Sequence, residues 1–316
     1  MGHNMFWVSR SWFRLGDKAS SAVGFNPELG TRNPERGFTL IEMIVVIVIT
    51  AIIAGAVAVF IKLPVQGYVD SARRAEMTDI ADAALRRMGR DLRLALPNSV
   101  RVTDGGATIE FLLTRTGGRY RATDNGVPTN GDPPHAGDIL DFTISDSSFD
   151  QFGPFAPGTG QTIVPNSDKL VVYNLGIPGA DAYAGDNIST ITGTGPGDLS
   201  NEYKISFSPK QFPLESPGAR FQVVEGPVSY ACDTASGKLT RYWGYPIAAI
   251  QPNAASLASS GASNALAATK VSLCAFDYNP GVTARSGVVA LTLQIKDQAS
   301  GESVQLYHEV HVNNVP

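Results

Sequence analysis

The feature that most constrains this chain is an apolar run at residues 43–61, MIVVIVITAIIAGAVAVFI. The run contains no charged residue, and Thr50 is its only polar side chain. As an α-helix rising about 1.5 Å per residue it would be about 28 Å long, which is close to the hydrocarbon thickness of a bilayer. The sequence therefore predicts a helix that lies in lipid.

The rest of the chain has the composition of a folded protein. Of its 316 residues, 43% are hydrophobic and 17% are charged, which allows a sizeable core and excludes disorder throughout. The net charge of -4 provides no general basic field, so we expect no nucleic-acid partner. The 32 glycines and 20 prolines argue against an all-helical protein.

Proline marks the divisions of the chain. None occurs from Val65 to Leu96, whereas 17 of the 20 lie from Pro97 onward. We predict an α+β protein in which a long amino-terminal helix packs on a β-rich antiparallel head. Its predicted parts are a leader at 1–37, a membrane-spanning helix at 38–63, an amphipathic extension of the helix at 64–97 and a globular head at 98–316.

Three interpretations of the amino-terminal region are open from its residues. A secretory signal peptide could be cut after Ala58, since Ala56-Val57-Ala58 has small residues at the required positions, but the apolar run is long for that class. A second possibility is a plain single-span anchor. The third is suggested by residues 36–42, Arg-Gly-Phe-Thr-Leu-Ile-Glu, which directly precede the run.

Residues 36–42 resemble the processing site of type IV prepilins and of type II secretion pseudopilins. The resemblance implies that a prepilin peptidase cuts after Gly37 on the cytoplasmic side and that Phe38 becomes the N-methylated mature terminus. It also implies that the helix at 38–63 serves in assembly as well as in spanning the membrane, and that Glu42, the acidic residue five positions into the mature chain, acts in assembly.

The carboxylate of Glu42 requires a positively charged partner if it lies in the membrane. An ionised side chain among lipid tails costs several kcal/mol unless it is paired. Cleavage after Gly37 would create an amino group at Phe38, one helical turn away, on the same chain or on a neighbouring one. The sequence leaves both partners open, while the family resemblance implies the neighbouring chain.

An amphipathic helix is predicted beyond the membrane. Its apolar residues recur at helical spacing, and Pro64 is expected to bend the helix by removing a hydrogen bond to Phe60. The helix is expected to stop at Leu96, before Pro97. The predicted apolar stripe comprises Val69, Ala72, Met77, Ile80, Ala84, Met88, Leu92 and Ala95. We expect this stripe to pack mainly on the chain's own sheet.

Short alternations of apolar and polar residues predict strands after Asn98. Val100 and Val102 with Ile109 and Phe111 predict a hairpin around 104–106. Other strands are predicted at 139–144, 169–174, 203–207, 221–224, 228–232, 238–243, 271–276, 288–295 and 304–312. The last two form a hairpin around 297–301 because their apolar residues each occupy one face. Segments 122–137, 150–168, 176–200 and 252–269 are predicted loops.

The only cysteines, Cys232 and Cys274, lie 42 positions apart in strand-like segments. If the head lies outside the cytoplasm a structural disulfide is expected, and two buried thiols are the alternative. The spacing excludes a CxxC redox centre.

Several other patterns do not predict chemistry. His308 and His311 are three residues apart in a strand, so their imidazoles should face opposite sides, and His308 is expected in the core with a local partner. Residues 193–197 have glycines without phosphate-loop spacing. Aspartates at 138–150 and 181–186 lack the order of an EF-hand loop. Tyr242, Trp243 and Tyr245 are expected in the core or at a subunit contact. We predict no enzyme, cofactor or metal.

Segments of the head add to the resemblance. Residues 88–101 resemble the larger minor pilins of the J and W types. Those residues together with 170–176, 228–233 and 307–314 resemble the MshO-type minor pilins of mannose-sensitive haemagglutinin (MSHA) pilus biogenesis.

This resemblance implies a low-abundance subunit that initiates or caps an MSHA-type pilus. Its implied partners are other minor and major pilins, an inner-membrane assembly platform and the lipid bilayer. Its implied location is the bacterial inner membrane with the head in the periplasm, and then the pilus. The alternatives are a J-type pseudopilin of a type II secretion system and a tip module that binds a surface ligand.

Overall fold

A computed structural model describes residues 37–123, 137–153, 162–281 and 286–316. The predicted leader, apart from Gly37, lies outside the described residues, as do parts of the predicted loops at 122–137 and 150–168. The chain divides into two compact units, one that ends at Lys62 and one that comprises Leu63–Pro316.

The amino-terminal helix α1 runs from Leu40 to Arg93. Its first half is rich in isoleucine and valine, which are modest helix formers in water. In lipid, however, a helix is the only single segment that satisfies its own backbone hydrogen bonds. Pro64 lies inside α1, and the secondary structure continues through it. The expected bend at Pro64 stays a prediction.

The carboxyl end of α1 lies three residues before the predicted end at Leu96. Ala95 forms a β-bridge with Leu113, and the Leu96 N–H donates to the Leu112 carbonyl at 2.8 Å. The chain therefore leaves the helix early because strand partners take over its backbone hydrogen bonds.

The described strands and short helices of the head follow α1 in chain order. They are β1 (Arg101–Thr103), a 3₁₀ turn (Asp104–Gly106), β2 (Thr108–Arg119), β3 (Asp146–Phe152), β4 (Lys169–Val172), β5 (Ile188–Pro196), β6 (Glu202–Lys210), β7 (Arg220–Asp233), β8 (Lys238–Trp243), α2 (Ala254–Ser259), β9 (Ser263–Ala268), β10 (Val271–Asn279), β11 (Ser286–Lys296) and β12 (Ser303–Asn313).

These strands form two antiparallel sheets. The larger sheet has the order β1-β2-β7-β4-β5-β6-β3, with β8 also on β7 and β9 on β8. The smaller sheet has the order β10-β11-β12. The predicted hairpins β1–β2 and β11–β12 are both present, the second with an unbroken register from Ser286↔Asn313 to Lys296↔Ser303.

The main core lies between the second half of α1 and both sheets. Met77, Ala84, Met88 and Leu92 of the predicted stripe are buried there, whereas Val69 is exposed. Opposite them, apolar side chains of β2, β7 and β8 from one sheet and of β10, β11 and β12 from the other complete the core. A long amino-terminal helix whose second half packs on an antiparallel β-rich head confirms the predicted α+β fold.

A second core lies within the large sheet, away from α1. Aromatic side chains dominate it, and the Phe149 ring meets the rings of Phe207 and Phe221 at centroid distances of 5.9 and 5.2 Å. The strand β7 contributes to both cores. It does so across a bulge, since Gly226 at φ 141° shifts the register between β2 and β7.

Several strand predictions are wrong. Residues 139–144 form no strand, because the Asp146 and Asp141 carboxylates accept the backbone N–H groups of Asp141 and Thr143 and hold a turn there. The predicted strands 221–224 and 228–232 are one strand, β7. The predicted loop at 176–200 contains β5, and the one at 252–269 contains α2 and β9.

Candidate processing and assembly site

The residues that precede α1 are arranged as a helix cap. Gly37, Phe38 and Thr39 are not helical, and α1 starts at Leu40. The Thr39 hydroxyl and carbonyl both accept the Glu42 N–H, at 3.3 and 3.1 Å. The bond between Gly37 and Phe38 therefore lies in non-helical chain just outside the first turn.

Sequence reasoning missed this cap, although its signal is present. Thr39-Leu40-Ile41-Glu42 has the spacing of a capping box, in which a Thr at the N-cap precedes a Glu at the third helical position. The same residues that resemble a processing motif therefore also specify where the helix begins.

Glu42 lies in the first turn of α1 and is exposed. A carboxylate at this end interacts favourably with the helix dipole. Its side chain makes no hydrogen bond or ion pair with any residue in the described ranges.

The surface of α1 around the predicted span is apolar and uncovered. Leu40, Ile49 and Phe60 are among its exposed large side chains. The Thr50 hydroxyl donates to the Val46 carbonyl within the helix, so the run's only polar side chain is satisfied internally. Among the described residues, α1 is the one helix that is long and apolar enough to cross a membrane.

A partly buried polar cluster fastens the far end of α1 to the head. The Asp91 carboxylate accepts hydrogen bonds from the Arg241 guanidinium at 2.7 Å and from the Tyr230 hydroxyl at 2.8 Å. Burial, together with the nearby Asp91 charge, raises the pKa of Tyr230. The cluster fixes both the position and the rotation of the helix on the sheet.

Ion pairs fasten α1 to the turn between β11 and β12. Arg73 contacts Asp297 at 3.2 Å, and Arg74 contacts Glu302 at 2.7 Å. The Ser300 hydroxyl, which donates to the Asp297 carboxylate, lowers the pKa of Asp297 and keeps it available to Arg73. These pairs are partly exposed, so each contributes little alone.

Cys232 and Cys274 form a disulfide with a Cα–Cα distance of 6.3 Å. Cys232 lies on β7 and Cys274 on β10, so the bond joins the large sheet to the small one beside the main core. The cross-link is typical of a protein that folds in an oxidising compartment.

The two histidines of β12 do face opposite sides, since His308 is half-buried and His311 is exposed. The expectation of a core His308 with a local partner is wrong. Its ring lies against the backbone of Gly89, and it makes no hydrogen bond with any residue that the structure describes.

The remaining patterns take structural positions. The glycines at 193–197 lie in and just after β5. The Asp150 carboxylate is buried and accepts the N–H groups of Asp138 and Asp198. Trp243 packs against the main core, and the Tyr245 hydroxyl donates to the buried Glu110 at 3.0 Å. In the described ranges, no group of three or more potential ligands could hold a metal ion.

A family model of the prokaryotic N-terminal methylation motif matches residues 32–58. No curated protein and no solved structure matches the chain. The matched segment includes the Gly37–Phe38 junction, the Thr39 cap, Glu42 and most of the apolar run.

This motif, the long apolar helix and the antiparallel β-rich head together define a type IV pilin-like protein. The motif implies processing by a prepilin peptidase and assembly with other pilins. Proteins of this kind lie in the inner membrane before they enter a pilus-type fibre, and they are generally structural subunits without enzymatic activity.

Proposed function

We propose that this chain is a minor subunit of an MSHA-type pilus that helps to initiate or cap the fibre. The observation that carries the proposal is the methylation motif at the first turn of an uncovered apolar helix, in a chain that also carries a large, disulfide-linked head. The length of the head fits an end position better than repeated packing along a thin fibre. The segments that resemble MshO-type minor pilins support the assignment to this pilus.

In this proposal the chain is cut after Gly37, and Phe38 is then N-methylated. Both steps need access to the backbone, and the structure leaves these residues outside the helix. Phe38 is 76% exposed, and a side chain added at Gly37 would meet no atom within 4 Å. A peptidase could therefore bind the junction without unwinding α1.

Glu42 is the assembly residue in this proposal. Its carboxylate lies one turn from the new amino terminus and makes no contact with a cation in the described chain. In the membrane it would be neutralised by the Phe38 amine of a neighbouring subunit, which removes the cost of an unpaired charge in lipid. That gain would favour docking and set the axial register of the two helices.

The proposed head location is the periplasm, and the proposed partners there are other minor and major pilins. An inner-membrane assembly platform would extract the subunit from the bilayer. The disulfide between β7 and β10 supports an oxidising location for the head.

The processing step is tested by the intact mass and the terminal sequence of the membrane form, produced together with a prepilin peptidase. We expect loss of residues 1–37 and one added methyl group on Phe38. Gly37→Ala should block cleavage. Retention of the leader in functional protein would refute the proposal.

The assembly step is tested with Glu42→Ala and Glu42→Asp as a pair. Glu42→Ala should be cleaved and held in the membrane but enter fibres poorly, and the aspartate variant should retain part of the activity. Normal incorporation of Glu42→Ala would contradict the pairing with the amine. A bacterial strain that lacks this chain separates a pilus role from a role in secretion. Loss of fibres from that strain would support the pilus role.

A further inference from the structure

The strand β12 has a long free edge beside α1. It pairs only with β11 among the described strands, over 11 residues and without a register shift. Proteins usually protect such edges with short strands, bulges, prolines or lysines, because unpaired backbone groups recruit other strands. Within Ser303–Asn313 none of these protections is present.

The opposite edge of the same sheet is partly covered. The 3₁₀ turn lies on β10, where a Cβ added to Gly106 would stand 3.1 Å from the Phe276 carbonyl oxygen. The disulfide at Cys274 also ties β10 to the large sheet. Of the two edge strands of the small sheet, β12 is the longer one, with 11 residues.

The register identifies the backbone groups of β12 that point outward. The Asp297 N–H donates a hydrogen bond to the Glu302 carbonyl at 2.9 Å, so these two residues form a hydrogen-bonded pair. In antiparallel strands hydrogen-bonded and non-hydrogen-bonded pairs alternate. It follows that Gln305, Tyr307 and Glu309 direct their backbone N–H and C=O groups away from β11.

A groove of about 860 Å³ runs between this edge and α1. Its apolar wall is formed by Leu85, Gly89 and Leu306, and its outer wall is formed by Arg86, Arg90 and Arg93.

The outer wall of the groove is positively charged. Arg86 pairs with Asp82 at 2.7 Å. Arg90 and Arg93 are exposed and form no ion pair with any residue in the described ranges.

Arg90 and Arg93 can both reach one added strand. They are three residues apart on α1, or about 4.5 Å along its axis, whereas alternate residues of a strand are about 6.8 Å apart, and the long arginine side chains span this difference. An added strand with acidic side chains at alternate positions could therefore place successive carboxylates near successive arginines.

We propose that β12 and this groove bind an extended acidic segment of a neighbouring subunit, which adds to the sheet as a further strand. The backbone groups of Gln305, Tyr307 and Glu309 would pair with it, and Arg90 and Arg93 would bind its carboxylates. The identification of the partner as a fibre subunit rests on the proposed function, whereas the chemistry of the site does not.

A second copy of this chain is a poorer occupant. The side chains of β12 that face the helix side are Val304, Leu306, His308, Val310 and Val312, because the alternate residues are exposed. None of the five carries a carboxylate. Pairing β12 with itself would leave Arg90 and Arg93 without counter-charges.

The test uses the processed full chain in detergent micelles and a fluorescent octapeptide of alternating glutamate and valine. Fluorescence anisotropy should show saturable binding, and the matched lysine and valine peptide should not bind. Hydrogen exchange should show added protection at Gln305, Tyr307 and Glu309 when the acidic peptide is present. Binding of both peptides equally, or no added protection, would overturn the proposal.

Gln305→Pro removes one outward donor and leaves the β11 ladder intact, because proline is tolerated where the strand N–H faces solvent. It should weaken peptide binding about tenfold, as expected for one hydrogen bond. Gln305→Ala is the matched control and should bind as the unaltered chain does. Equal binding by the two variants would show that the backbone edge is not used.

The double variant Arg90→Gln with Arg93→Gln tests the charged wall without altering β12. It should lose most binding of the acidic peptide while Trp243 fluorescence stays unchanged. If duplex DNA displaces the peptide, and Gln305→Pro binds that DNA normally, the groove binds phosphates and the strand proposal is wrong. The groove and β12 lie far in sequence from the Gly37–Phe38 junction and from Glu42, so peptide binding can fail while leader cleavage and assembly through Glu42 hold.

Discussion

Loss of the disulfide is the most informative perturbation of the head. The bond between Cys232 and Cys274 is the covalent link between β7 of the large sheet and β10 of the small sheet. Replacing both residues by alanine removes the cross-link and leaves the strands and the helix interface in place. We therefore expect a folded but less stable head.

The magnitude follows from the loop that the bond closes. The two residues are separated by 42 positions. The chain-entropy model gives about 13 cal/mol/K for a loop of that length, or about 4 kcal/mol at 25 °C. Because this stabilisation acts on the unfolded chain, the variant should also expose more surface on unfolding, and its denaturant slope should rise.

Trp243 is a single fluorescent probe for the unfolding of the head. It is the only tryptophan that remains after cleavage at Gly37, since the other two lie in the leader. Its indole is half-buried against the main core, with the Arg241 guanidinium 5.0 Å from the ring centroid. Urea unfolding of the processed chain, followed by tryptophan emission, therefore reports the unfolding of the core beside the disulfide.

Two controls separate the cross-link from the substitutions. The unaltered chain in a reducing agent should unfold at nearly the same urea concentration as the double alanine variant. Thr234→Ala, in the exposed turn between β7 and β8, should behave as the oxidised chain. If the double variant and the oxidised chain have equal midpoints and slopes, the reasoning about the disulfide is wrong.

Three further predictions concern the contact between α1 and the sheets. Asp91→Ala should destabilise the head by about 2 to 4 kcal/mol, because it removes the carboxylate to which Arg241 and the buried Tyr230 hydroxyl both donate. Urea unfolding measures this loss, and a value below about 1 kcal/mol would contradict the assigned role. Gly89→Leu should lower the free energy of unfolding by about 1 to 3 kcal/mol, since even a Cβ there would lie 3.3 Å from the His308 Nε2 atom. Gly89→Ala should stay within about 1 kcal/mol of the unaltered chain. Equal melting temperatures for the two variants would refute the close approach of α1 and β12. The raised pKa of Tyr230 means that the folded state holds the hydroxyl proton more tightly than the unfolded state does. The contribution of this hydroxyl to stability is therefore complete below about pH 10 and is lost as the pH rises further. Melting temperatures measured at increasing alkaline pH should show this fall, and the fall should be smaller in Tyr230→Phe.

Local patterns in the sequence determined several parts of this protein. The apolar run and residues 36–42 predicted the helix in lipid and its processing motif, because length, charge and spacing act within one segment. The hairpins β1–β2 and β11–β12 were also predictable, since turn chemistry and alternation are local. The Thr39 cap could have been predicted from its spacing to Glu42.

Tertiary pairing decided the rest. The strand β5 is rich in glycine, serine and threonine, and it is a strand because β4 and β6 supply its hydrogen bonds. The strand β9 is ordered by β8 in the same way.

The same is true of contacts between distant segments. Asp91 meets Arg241 across 150 positions, and the groove beside β12 exists only because α1 lies next to that edge. Contacts between residues so far apart leave no periodic signal in the sequence, because the partner that satisfies each group is chosen only when the chain folds.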